Sequence, residues 1–109
     1  MKPVIWVGDS RERIREFPAD AKRLAGHDLE LVRAGREPRD WKPMPSVGLG
    51  VREIRVRIGA AFRVIYVAKF AEAVYVLHAF RKQSQKTAQA DIELGRRRFR
   101  TVVEERRRR

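Results

Sequence analysis

The residues in this sequence best suited to chemistry are cations. Arg55 and Arg57 lie two apart in the alternating run Val51–Ile58, so as a strand they share one face. Arg63 is the sole charge in the apolar run Ala61–Ala68, and Arg81, Lys82 and Lys86 follow the apolar run Ala73–Phe80. Cations grouped on adjacent strands suit phosphate binding and can stabilise the extra negative charge of a phosphoryl transition state. Cleaving RNA by attack of a 2′-hydroxyl on its own phosphate needs a base, an acid and such cations, but no metal. A lysine desolvated beside other cations has a lowered pKa and can carry the proton. An arginine in so apolar a strand needs a partner, which makes Arg63 the strongest single candidate. Glu53 is available to pair with it or with Arg55. Arginines on the open face of a sheet equally read as a solvated surface.

Other chemistry has weaker support. His78 reads as a strand residue bonded to a backbone group, with an acid–base role as the alternative. His27 reads as surface or helix packing, and Tyr66 and Tyr75 as core or edge aromatics. Trp41, beside Lys42 in a proline-rich stretch, either seals the core edge or stacks on a base. The two histidines lack ligand spacing and cysteine is absent, so no metal site is expected, nor a disulfide or thiolate nucleophile. A nucleophile-elbow serine and a glycine-rich phosphate loop are also missing. No cofactor is expected.

The elements that must position these cations follow from periodicity. Pro3–Val7 reads as a first strand ended by Gly8-Asp9, with Asp9 or Ser10 capping a short helix Arg11–Phe17. Pro18 opens a second helix, Ala19–Ala34, whose apolar stripe is Ala21, Leu24, Ala25, Leu31 and Val32. The two form a helical hairpin able to cover a sheet. Glu37–Gly50, with three prolines and two glycines, reads as a loop. Val51–Ile58, Ala61–Lys69 and Ala73–Phe80 then predict an antiparallel meander. Thr87 is expected to cap a last helix bearing Ile92, Phe99, Val102 and Val103, weakened by Gly95. The order β-α-α-β-β-β-α predicts a two-layer α+β domain over residues 1–109, with 106–109 as a basic tail.

Charge narrows the partners. The 109 residues hold 26 Lys and Arg against 14 Asp and Glu, a formal net charge of +12. The first 50 residues contribute +2 and the rest +10, so the basic character belongs to the meander and last helix. Such asymmetry favours a polyanion, nucleic acid before an anionic membrane surface. No apolar run approaches the roughly 18–20 residues of a membrane span, and the N-terminus does not read as a signal peptide. A cytoplasmic location and no membrane partner are expected.

Four segments together carry a family resemblance: Trp41-Lys42-Pro43-Met44-Pro45, Gly50-Val51-Arg52-Glu53-Ile54-Arg55, Phe62-Arg63-Val64-Ile65-Tyr66, and Val76–Thr87. They resemble the phage-derived, HigB-like branch of the RelE/ParE toxin superfamily. The resemblance implies a RelE-like fold, an antiparallel-rich twisted sheet packed by an N-terminal helical hairpin and a C-terminal helix. It also implies the toxin of a type II toxin–antitoxin system, a ribosome-dependent endoribonuclease acting on mRNA. A helix-turn-helix antitoxin is the implied partner, forming a toxin–antitoxin hetero-oligomer. Arg55, Arg63, Lys82, Lys86 and His78 are then the expected catalytic set, with Arg63 on the scissile phosphate. Arg52, Arg57, Arg81, Trp41 and Lys42 are the expected RNA- or phosphate-binding set. Many relatives place a functional Tyr or His after the last strand, whereas Arg81–Thr87 contains neither, so Lys86, Lys82 or His78 must move the protons. The same superfamily also contains ParE-like inhibitors of DNA gyrase, and a basic face can equally belong to a non-enzymatic RNA- or DNA-binding module.

Overall fold

Residues 1–109 are described by a computed structural model. The alternating runs form β3 (Val51–Ile58), β4 (Ala60–Val67) and β5 (Val74–Arg81), paired antiparallel in chain order. Gly59 alone joins β3 to β4, and its φ of 70° is the left-handed conformation a glycine adopts without strain. A first strand, β1 (Val4–Trp6), pairs parallel to β5, and β2 (Trp41–Pro43) pairs antiparallel to β3. The five-stranded sheet runs β1-β5-β4-β3-β2.

β2 departs from the expected loop over Glu37–Gly50. An edge strand this short tolerates a proline, because one side of its backbone has no ladder to complete. Helix boundaries also differ. α1 spans Ser10–Arg15, but the Ser10 hydroxyl donates to Val76 O at 3.0 Å rather than capping the helix. α3 spans Gln89–Arg107 with Ala88 at its N-cap, so Thr87 does not cap it.

Helices cover both faces of the sheet, giving three layers where two were expected. On one face, α1 and α2 (Ala19–Arg33) press Ile14, Phe17, Ala21, Ala25 and Leu29 against Ile54, Val56, Phe62, Val64 and Tyr66. On the other, α3 packs along β5 and sends Val102 toward Val67, Tyr75 and Leu77. Its helix-interior Gly95 has a packing reason, since a Cβ there would sit 3.3 Å from Val47 Cγ1.

Register decides which side chains meet. Ile65 pairs with His78 but Tyr66 pairs with Val76, leaving Leu77 as an extra residue in β5. A bulge of this kind puts two successive side chains on one face. Leu77 and His78 therefore both point to the α3 side, and the alternation of β5 is reset beyond them. No helix is long and apolar enough to cross a membrane.

Ion pairs fasten α3. Arg98 donates to Leu77 O at 2.9 Å and to Asp9 Oδ1 at 2.7 Å, and Arg106 bonds Glu72 at 2.6 Å. The hydrogen bond from Arg98, then that from Arg13, holds the Asp9 carboxyl down to about 2. Its folded pKa is depressed, so its stabilisation is present above the ordinary value of 3.8 and lost as pH falls toward 2. Asp9→Asn is expected to flatten acid unfolding over that interval, followed by circular dichroism. Gly95→Val overpacks the α3–sheet contact and should lower stability by about 1–3 kcal/mol in urea melts.

Candidate nucleic-acid interface

Strand alternation brings Glu53, Arg55 and Arg57 to the α3 side of the sheet, but α3 lies along β5 and leaves the β3 end uncovered. Arg55 stands opposite Arg63, and Lys42 of β2 stands opposite Glu53. Lys82 extends the line of β5 by one residue, its N–H donating to Ala61 O at 2.8 Å. Five cations thus ring one carboxylate.

Glu53 is the centre of the ring. It is fully buried, and Arg63 beside it is only 2% exposed. Arg63 Nε lies 3.4 Å from Glu53 Oε1, and Lys42 Nζ approaches the same oxygen at 3.9 Å. The Thr87 hydroxyl donates to Glu53 Oε2 at 3.2 Å. Arg63 Nη1 donates to Phe62 O at 3.1 Å. Three buried polar atoms in this cluster, Glu53 Oε1, Arg55 Nε and Arg63 Nε, have no hydrogen-bond partner. Arg63 Nε and Glu53 Oε1 face each other as an ion pair at 3.4 Å, which leaves Arg55 Nε as the buried donor of the cluster with no acceptor.

The field at the cluster is reflected in its titration. Burial, opposed by Glu53 and reinforced by Arg55 and Arg57, pushes Arg63 down from its ordinary range, where it still remains protonated. Desolvation, and then the neighbouring Arg63, lower Lys82. A lysine so placed gives up its proton more easily than one in water.

Among the expected site residues, Arg55, Arg57, Arg63, Lys82 and Lys42 come together. Lys86 is exposed on the connector, one residue before the Thr87 that bonds Glu53. Arg81 does not join them. It pairs with Phe62 and so takes the opposite, α1 side of the sheet. Arg52 and Trp41 also take that side, where the Arg52 guanidinium lies 4.0 Å over the Trp41 ring and bonds Glu37 at 2.9 Å. His78 is buried beneath α3, its Nε2–H donating to the Asp91 carboxylate at 2.7 Å and its ring stacking on Phe80. Its partner is a carboxylate rather than the expected backbone group. Burial lowers its pKa, so the ring is neutral near pH 7. His27 is exposed on α2.

Two contributors were not expected as site residues. Glu53 was visible through alternation, which puts it on the face of Arg55 and Arg57, but only as one possible stabilising partner. Thr87 was read as a helix cap, and its reach to Glu53 across 34 positions leaves no local signal. No group of three or more His, Asp or Glu side chains is placed to hold a metal ion. What the arrangement can do is attract a phosphate to clustered cations, with a lysine of lowered pKa beside them.

A family model described as Phage derived protein Gp49-like (DUF891) matches residues 12–100. No curated protein matches the chain.

The buried pair predicts a stability cycle. Arg63→Ala leaves the buried Glu53 carboxylate with only the distant Lys42 ammonium and the Thr87 hydroxyl and should cost about 3 kcal/mol. Arg63→Ala combined with Glu53→Ala should recover part of that loss, as measured by urea unfolding of all four proteins.

Proposed function

The chain belongs to the phage-derived Gp49-like family, and on that premise we propose that it is the toxin of a type II toxin–antitoxin system, of the HigB-like branch, cleaving mRNA on the ribosome in the cytoplasm. The observation that carries this reading is the buried Arg63–Glu53 pair, with an unpartnered Arg55 nitrogen beside it and Lys42, Arg57 and Lys82 on the same side of the sheet. Arg55 and Arg63 hold the scissile phosphate, and their charge grows in value as the phosphorane develops. The 2′-oxygen attacks phosphorus, the bond to the 5′-oxygen breaks, and a 2′,3′-cyclic phosphate and a 5′-hydroxyl result. Lys82 gives its proton to the departing 5′-oxygen. Lys86, exposed on the connector next to Thr87, accepts the proton of the 2′-hydroxyl in its neutral form, while buried Glu53 holds Arg63 in place. Arg57 and Lys42 hold flanking phosphates, and Lys86 reaches the same strand from the connector. A helix-turn-helix antitoxin is the proposed partner.

A reconstituted translation system tests this. Translated messages are expected to be cut inside codons, leaving 2′,3′-cyclic phosphate ends. Lys82→Ala should lower the rate about 100-fold or more. In the parent protein the rate should fall as pH rises through the lowered Lys82 pKa, below the ordinary 10.5, and Lys82→Ala should lose that limb. Arg63→Lys, which keeps the charge opposite Glu53, tests phosphate contact without unfolding the sheet. Intact messages with arrested gyrase would instead support a ParE-like inhibitor. Salt-sensitive RNA binding without cleavage would support a binding module.

A further inference from the structure

Strand alternation sets Arg52 apart from the cationic cluster, on the hairpin side of the sheet. A pocket of about 250 Å³ opens there, where the end of α2 meets β3 and β4. Its wall includes Tyr66, which has no exposed surface and whose hydroxyl meets no hydrogen-bond partner. Arg52 stands opposite Tyr66 in β3, but its Nη1 is given to Glu37 at 2.9 Å and its guanidinium lies over Trp41. Burial, opposed by Arg52, pushes Tyr66 up to about 12, so the hydroxyl keeps its proton and remains a donor. A buried donor with no acceptor is costly, and phenylalanine would fill the same space without that cost.

Cations gather at the same pocket. Arg36 is exposed there and has no ion-pair partner. Lys2 also lines it, its ammonium bonding Ala68 O and, at 2.8 Å, Phe70 O. Lys69 borders it too, although its ammonium lies 5.2 Å over the Phe70 ring. With Arg52 these make four cations against one carboxylate, Glu37. The carbonyls that end α2 are already satisfied, since Leu31 O, Val32 O and Arg33 O accept from the N–H groups of Arg36, Gly35 and Lys2.

We propose that this pocket binds the dianion of a small phosphate monoester, at a site on the face of the sheet opposite the Glu53 cluster. Tyr66 Oη donates to one phosphate oxygen, Arg52 and Arg36 donate to the others, and the organic group lies against Val32 and Ala68. Arg52 turns from Glu37 to the phosphate as it enters. Their side chains are 38% and 58% exposed, and a surface pair of this kind opens at little cost. A carboxylate ligand is a poorer occupant. It offers Arg52 nothing that Glu37 does not, whereas a phosphate brings a second charge and three free oxygens.

The test uses the Trp6→Phe protein, in which Trp41 is the sole tryptophan and reports movement of Arg52 from its ring. Phenyl phosphate and inorganic phosphate are titrated at about pH 8, where both are dianions, and at constant ionic strength. Trp41 emission and the amide resonances of Arg36 and Tyr66 follow binding. Saturable binding is expected, with phenyl phosphate at least as tight as inorganic phosphate and acetate at least tenfold weaker. Tyr66→Phe keeps the ring in the core, so it should melt no lower than the parent and yet bind phenyl phosphate at least tenfold more weakly. Arg36→Gln, at an exposed position, should weaken binding at least threefold without touching the core. Lys82→Ala should bind as the parent does, which separates this pocket from the cationic cluster. Absence of saturable binding, equal binding of acetate, weaker binding of phenyl phosphate than of inorganic phosphate, or undiminished binding by Tyr66→Phe or Arg36→Gln would overturn the proposal. Loss of binding in Lys82→Ala would overturn it in favour of the cluster around Glu53.

Discussion

A carboxylate and a guanidinium sealed together in the middle of a sheet constrain everything around them. Neither Glu53 nor Arg63 has appreciable access to water, so each charge at that depth is offset by the other. The register of β3 against β4 cannot slip by one residue without turning one of the two to the hydrophobic side and separating the pair. The pair therefore holds the strands in the register that also lines up Arg55 and Arg57. Thr87 adds the connector to the same centre, so the path from β5 to α3 is tied to the carboxylate as well. A hydrophobic pair of similar volume would pack as stably or better, and would leave no polar atom at the surface of the cluster. The ionic solution makes sense where an anion is to be received.

Much of this was legible because it is local. Alternation over Val51–Ile58, the Gly59 turn and the Pro18 break each lie within a few residues, and the meander and helical hairpin follow from them. The grouping of Arg55, Arg57, Arg63 and Lys82 was equally open to reading, since adjacent antiparallel strands must juxtapose them. Three features were not. The Leu77 bulge leaves no mark in a run whose apolar residues stand at odd and even positions alike, and it decides that His78 faces α3. The side taken by Arg81 depends on the same bulge. The parallel pairing of β1 with β5 joins residues some 70 positions apart, which no short pattern encodes.

The net charge of +12 divides into cations with different work. Arg98, Arg106, Arg39 and Arg33 hold helices and loops in place through Asp9, Glu72, Asp28 and Glu30. Their charges are locally compensated and contribute little to a field at distance. The residual field comes from the cluster around Glu53, from the exposed cations of α1 and α2, and from the exposed end of α3. A polyanion thus meets a surface whose attraction is concentrated, with fewer competing sites than the composition alone implies.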